Sequence, residues 1–281
     1  MMFASENLFL IFIGLVWIIG AVLQDLRRRE VDNIWNFSLI GIALAYRLAY
    51  SAYIGEYMFF VNGLIGFGIF LVIGNAFYYG RIFAGGDAKL LIALGTILPL
   101  SFNWTENILI FGYFILFFML GGSIYVFIWS LVLVFFNFNK FAREFGKQYG
   151  LNKKIVIYGF VFFVVWSVLS FFIEARLTLL GILFILGPFL YVFAKSVEES
   201  LMIRSYMPED LGEGEWLYED LIVDGKKIKA NWDGVSRREL ELIRKKYRRK
   251  IWVKQGIPFT PGFLIGFIGL LFMDWHGFMG F

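Results

Sequence analysis

Eight stretches of this chain are apolar over roughly the length a helix needs to cross hydrocarbon, and no other feature limits its possible folds as strongly. They cover about residues 8–24, 34–54, 58–79, 88–104, 107–136, 154–173, 178–194 and 258–274, against a requirement of about 20 residues per spanning helix. Of the 281 residues 59% are hydrophobic and 17% charged, whereas a soluble domain is about 45–50% apolar and about 25% charged. A soluble core of this length could not bury so much Phe, Leu and Ile, so lipid must face most of it. The expectation is an all-α polytopic membrane protein of about 6–8 transmembrane helices with a small cytoplasmic α+β insertion.

The first run is expected to be retained as a helix and not removed as a signal peptide. It has no basic segment before it and no small-residue cleavage site after it, and it ends in Gln24-Asp25-Leu26-Arg27-Arg28-Arg29. Basic residues then set the orientation. If the loop after the first helix faces the cytoplasm, 24 of the 26 Lys and Arg fall on the cytoplasmic side, and only Arg47 and Arg176 fall toward the other. Arg47 is expected to snorkel outward or to pair with a carboxylate. Trp17, Trp35, Trp104 and Trp275 read as interfacial anchors.

Composition divides the chain into a membrane domain over 1–194, a soluble module over 195–255 and a final transmembrane segment over 256–281. Within the module, Asp224-Gly225 between two β-prone runs predicts a hairpin, because a type I′ turn needs positive φ at both central positions. Ser236-Arg237-Arg238-Glu239 predicts a capping box that opens a helix. The basic residues over 237–250 read as a face for solvent or lipid headgroups and not for nucleic acid.

The chain has no Cys and a single His, His276. That excludes thiol catalysis and disulfides, and it argues against a His-based metal cluster or a Ser-His-Asp triad. No cofactor and no metal are expected, and carboxylates, Lys and Tyr remain for proton chemistry. Two acids stand out. Asp25 ends the first apolar run, and Asp87 opens the fourth within Arg81-Ile82-Phe83-Ala84-Gly85-Gly86-Asp87-Ala88-Lys89. Acids next to hydrocarbon are costly and mark function by default. At one membrane face the two could act as a dyad on a peptide bond, the ionised one taking a proton from water and the protonated one holding the carbonyl. Gly85 and Gly86 would allow positive φ and close approach of a substrate strand. The plainer readings are that Asp87 caps a helix and that Asp25 pairs with the following arginines.

These residues carry a resemblance. Asp25-Leu26-Arg27-Arg28-Arg29-Glu30-Val31-Asp32-Asn33, with Gly85-Gly86-Asp87-Ala88-Lys89 further on, resembles the archaeal type IV prepilin and preflagellin peptidases, membrane aspartic proteases of the GxGD type. The similarity covers about residues 1–175. Gly214-Glu215-Trp216-Leu217, the Asp224-Gly225 turn and Gly256-Ile257-Pro258-Phe259-Thr260-Pro261 are similar to a C-terminal region of some archaeal members. The resemblance implies an endopeptidase of the cell membrane with Asp25 and Asp87 catalytic at the cytoplasmic face. It further implies Ala84, Gly85, Gly86 and Lys89 as the surrounding motif, and pilin-like or archaellin precursors with short basic leaders as substrates. Ala84 replaces the first Gly of the motif. If that position needed positive φ, Ala would cost roughly 1 kcal/mol or more.

By charge, Glu215, Glu219 and Asp220 are the module's candidates for meeting a basic leader. Other classes stay open: a transporter or channel with the two Asp as relay groups, or a scaffold whose module docks an assembly partner.

Overall fold

The computed structural model describes Met2 and residues 4–278. Its elements in chain order are α1 (Ser5–Arg28), α2 (Asn33–Ile54), α3 (Met58–Tyr79), α4 (Gly85–Leu94), α5 (Trp104–Phe136), α6 (Phe138–Leu151), α7 (Lys153–Ile173), α8 (Thr178–Leu201), β1 (Ile203–Tyr206), β2 (Trp216–Leu217), β3 (Leu221–Val223), β4 (Lys226–Ile228), α9 (Arg237–Lys246), β5 (Ile251–Lys254) and α10 (Pro261–Trp275). Six of these, α1, α2, α3, α5, α7 and α8, are long and apolar enough to cross a membrane, which makes the chain a polytopic helical membrane protein. Two compact units form, one from Met1–Ile128 with Pro258–Phe281 and the other from Trp129–Ile257. That division falls within α5, not at the composition change near residue 194, because α6, α7 and α8 pack on one another.

In the first unit α1–α4, the first part of α5 and α10 bury Leu10, Ile18, Leu39, Phe70, Leu91, Leu94, Phe114, Phe118, Phe263 and Phe267. Trp17 and Trp35 meet each other across α1 and α2. Their rings stack at 5.0 Å, and each indole N–H donates to the other's carbonyl oxygen at 2.9 Å. The apolar body and the single polar edge of each ring are both satisfied by the partner, so α1 and α2 are clasped together.

The fourth apolar run is the main departure from expectation. Helix stops at Leu94 instead of continuing to residue 104, giving ten residues, or about 15 Å. Residues 95–103 follow as turn and irregular chain. Such backbone at membrane depth survives only where protein satisfies its polar groups, and here side chains from four spanning helices do so. Arg47 on α2 donates from Nε to Thr96 O (2.8 Å) and from Nη2 to Ile97 O (3.1 Å) and Pro99 O (2.6 Å). Its Nη1 donates to Phe59 O at 2.9 Å, and the guanidinium carbon lies 4.6 Å from the centre of the Phe59 ring. Arg47 is fully buried, so it neither snorkels nor pairs with a carboxylate. Asn7 donates to Leu100 O (2.7 Å), Asn62 to Ser101 O (3.1 Å) and Asn107 to Ser101 O (2.8 Å). A Cβ on Gly66 would overlap the carbonyl oxygen of Gly95, so α3 and the end of α4 meet backbone to backbone.

In the second unit α7 and α8 pair along their length. A Cβ on Gly159 would overlap Phe184 O, and Trp166 donates to Leu177 O at 2.8 Å. Many of their side chains face outward, Phe172 at 80% exposure among them, as lipid contact requires. α8 runs past the end of its apolar stretch to Leu201, where Lys195, Glu198 and Glu199 join Lys254 of β5 in an ion-pair network. The soluble part forms as its local signals predict. The sheet order is β1-β5-β2, and β3 and β4 make a hairpin around Asp224 (φ 50°) and Gly225 (φ 75°). The backbone N–H of Ser236 donates to Glu239 Oε2 at 2.9 Å, the carboxylate half of the capping box that starts α9.

Candidate active site

Asp25 and Asp87 both lie in the first unit, on helix ends that the loops draw together. Asp25 occupies the last turn of α1 and is buried at 7% exposure. Arg29 closes the helix in the left-handed region (φ 59°), its N–H donating to Asp25 O at 2.8 Å. The following loop is braced by the Arg28–Asp32 ion pair (2.8 Å) and by Gln24, whose Oε1 accepts the Asp32 N–H at 3.0 Å. Arg28 is thus committed to Asp32, not to Asp25.

Asp87 is the third residue of α4. Ahead of it the chain reverses through Arg81 (φ 59°), and the N–H groups of Ile82 and Phe83 both donate to Phe77 O. That turn tucks Phe83 into the core, 4.9 Å from the Phe77 ring and 5.4 Å from the Phe259 ring. Ala84 is the residue just before the helix, in extended geometry (φ −66°, ψ 160°). Alanine there carries no strain, so the loss of the first motif glycine is conformationally neutral.

Gly85 and Gly86 begin the helix with negative φ, so the expected left-handed backbone is at Arg81 instead. A Cβ on Gly86 would come no nearer than 3.6 Å to Val31, and one on Gly85 no nearer than 3.7 Å to Tyr78. What the two glycines do is leave the first turn of α4 bare beside Asp87. Lys89, one turn on, donates to Asn33 Oδ1 at 2.6 Å and ties α4 to the start of α2.

The electrostatics separate the two acids. Asp87 is half-buried on a helix too short to span. Desolvation, reinforced by the neighbouring Asp25 carboxylate, pushes its carboxyl up to about 7. The positive end of α4 acts in the opposite sense but is worth only about 0.3–1 kcal/mol at such positions, so desolvation prevails. Asp25 has a different environment. Its Oδ2 accepts two hydrogen bonds from Thr260, from the backbone N–H at 3.2 Å and from Oγ1 at 2.9 Å. Thr260 stands in the Gly256–Pro261 stretch that the sequence marks out, but its contact with Asp25, 235 residues away, has no local signal. Arg47 and Asn62 likewise reach the site only through the chain end of α4 that they hold.

Glu215, Glu219 and Asp220 belong to the second unit. The Oε2 of Glu215 is buried without a hydrogen-bond partner, and burial raises its carboxyl above the usual range. Glu219 is exposed. Asp220 pairs with Lys227 at 2.7 Å and accepts the Ala230 N–H at 2.8 Å, and both interactions lower its carboxyl. Among the described residues no three His, Cys, Asp or Glu side chains gather into a metal-binding group.

Comparison with known proteins bears on the first unit. The preflagellin peptidase of Methanococcus voltae is 33% identical over 89 residues, and that of Methanococcus maripaludis (strain C6 / ATCC BAA-1332) is 36% identical over 89 residues. Each alignment covers 31% of this chain and 37% of the relative, so the chain spans little more than a third of the curated relatives it matches. No solved structure matches significantly. Over residues 12–138, a stretch that contains Asp25, Asp87 and the whole of α4, the chain matches the type IV leader peptidase family.

Proposed function

We propose that the chain is a membrane aspartic endopeptidase that removes short basic leaders from type IV pilin-like or archaellin precursors at the cytoplasmic face of the cell membrane, with Asp25 and Asp87 as its catalytic pair. The observation that carries this reading is the approach of two carboxyls from separate helices, close enough for one to perturb the other, within the stretch matched by the leader peptidase family. Their environments differ in the way a dyad requires. Two like charges held close do not both ionise readily, and the pair loses its protons in separated steps.

The reaction follows from that pairing. The ionised carboxylate accepts a proton from a water whose oxygen bonds to the scissile carbonyl carbon. The protonated carboxyl gives its proton to the carbonyl oxygen, so a neutral gem-diol forms without a free oxyanion. The C–N bond then breaks as the first carboxyl passes its proton to the leaving nitrogen and the second recovers one from the collapsing diol. A basic leader followed by an apolar helix would place its junction at the membrane surface. The concentration of 24 of 26 basic side chains on alternate loops supports the cytoplasmic side as that surface.

The broken α4 also bears on the transporter reading, since transporters use discontinuous helices to coordinate ions through freed carbonyls. Here the carbonyls of Thr96, Ile97, Pro99, Leu100 and Ser101 are already bound by side-chain donors, which favours the peptidase. The test is cleavage of a leader-bearing precursor by membranes containing the wild type, Asp25→Asn or Asp87→Asn. Each variant is expected to insert and to lose cleavage. Near-wild-type turnover by either would overturn the proposal.

A further inference from the structure

The segment that opens α10 touches both acidic motifs, although it lies outside residues 12–138. Thr260 binds Asp25 Oδ2 twice, and the preceding residue, Phe259, packs its ring against Phe83, which leads into the Asp87 motif. The same aromatic group includes Phe118 and Phe263, 4.3 Å apart. Pro261 begins α10, so its missing N–H falls where a helix has no partner to offer, and the Thr260 N–H just before it stays directed at the carboxylate. Thr260 has no exposed surface.

Two donors on one carboxylate oxygen stabilise the ionised form specifically, because a protonated carboxyl gains far less from them. We infer that Thr260 is a positioning residue that holds Asp25 ionised as the water-activating member of the pair, leaving Asp87 to carry the proton that goes to the substrate carbonyl. This assignment rests on the proposed peptidase reading and adds the division of labour within it. The other charged or titratable groups about Asp25 are Asp87 from α4, Arg29 at its own helix end and Tyr125 of α5, which senses the charges of both Asp25 and Arg29. Replacing Thr260 removes a donor to Asp25 without altering a charge.

The experiment is the pH dependence of kcat and KM on a leader-bearing precursor, using full-length protein in detergent, for wild type, Thr260→Val and Thr260→Ser. Valine keeps the shape and the backbone donor but removes Oγ1. Loss of Oγ1 removes one of the two hydrogen bonds that favour the ionised form, so the acid limb of kcat should move to higher pH by roughly one unit. KM should change little, the alkaline limb should move less than the acid limb, and Thr260→Ser should restore the wild-type profile. An acid limb that is the same in wild type and Thr260→Val overturns the inference, as does a serine variant that behaves like valine. If valine prevents folding, Thr260→Ala replaces it in the same comparison with serine. Inactive Asp25→Asn and Asp87→Asn variants with an unmoved Thr260→Val limb would refute only this division of labour. Active Asn variants would refute the peptidase reading itself.

Discussion

Replacing Arg47 by methionine should unfold the protein at a markedly lower temperature, although position 47 lies a helix length from either acid. The side chain is fully buried and makes four hydrogen bonds, to the carbonyl oxygens of Thr96, Phe59, Ile97 and Pro99, at 2.6–3.1 Å. Methionine preserves much of the volume but strands all four acceptors, each at a cost of roughly 1–3 kcal/mol if nothing replaces the donor. These costs do not add fully, because the freed chain relaxes. A net loss of about 3–5 kcal/mol is the scale for removing one side of a buried charged contact. Set against a typical total of about 5–15 kcal/mol, that is a large fraction, and it should lower the melting temperature by roughly 10 °C. Lysine keeps the charge but offers three donors from a single point in place of a planar fork, so Arg47→Lys should fall between. The assay is far-UV circular dichroism of the three proteins in one detergent as temperature rises. If Arg47→Met melts within about 2 °C of wild type, the guanidinium does not hold the end of α4, and the account of that irregular segment is wrong.

The pH profile supplies a second prediction. In the proposed mechanism Asp87 must be protonated to deliver its proton, and desolvation with the neighbouring Asp25 pushes its carboxyl up to about 7. Cleavage is therefore expected to fall as pH rises through that value, and a rate that stays flat well into alkaline pH in a buffer series would contradict the role. Ala84→Gly should leave kcat within roughly threefold of wild type, since residue 84 is extended and glycine and alanine differ only modestly at a helix start. A large gain in precursor cleavage would show that the position needs glycine's freedom. Gly66→Leu should fail to accumulate as folded protein because α3 and the end of α4 meet at backbone distance, a point that size-exclusion chromatography in detergent would check. Labelling of a cysteine placed at residue 225 should occur from the cytoplasmic side, and labelling only from outside would reverse the proposed topology.

The parts of this fold that were legible in the sequence are those whose causes are local. Long apolar runs became α1, α2, α3, α5 and α7, because lipid contact requires little more than composition and length. The Asp224-Gly225 turn and the Ser236/Glu239 cap formed because their hydrogen bonds close within a few residues. The fourth run was misread because its residues stay apolar well past the end of the helix. Pro99, which disfavours helix in the residue before it, and Gly95 were the available signals. Their outcome depended on Arg47, Asn7, Asn62 and Asn107, which arrive from other helices. α8 shows the opposite error. The charges that mark the end of its apolar stretch do not end the helix, because Lys195, Glu198 and Glu199 find partners in Lys254. At the site, both acids were legible as charges beside hydrocarbon. The donor from Thr260 was not, because no local pattern encodes a contact across 235 residues.

The donors that wrap residues 96–101 also impose an order on how the chain is made. Arg47 precedes its three acceptors in this segment by 49–52 residues and Asn7 precedes Leu100 by 93. At about 5–20 residues per second, these polar side chains wait several seconds for their partners to leave the ribosome. An arginine at the centre of an isolated spanning helix costs about 2.5–3.5 kcal/mol to insert. α2 is thus a poor membrane segment alone and becomes a good one only once α4 has followed it. A nascent chain stalled between these helices would expose an unpartnered guanidinium to lipid, a state that membrane quality-control machinery could detect. Thr260 comes later still, so Asp25 is synthesised long before the residue that binds its carboxylate.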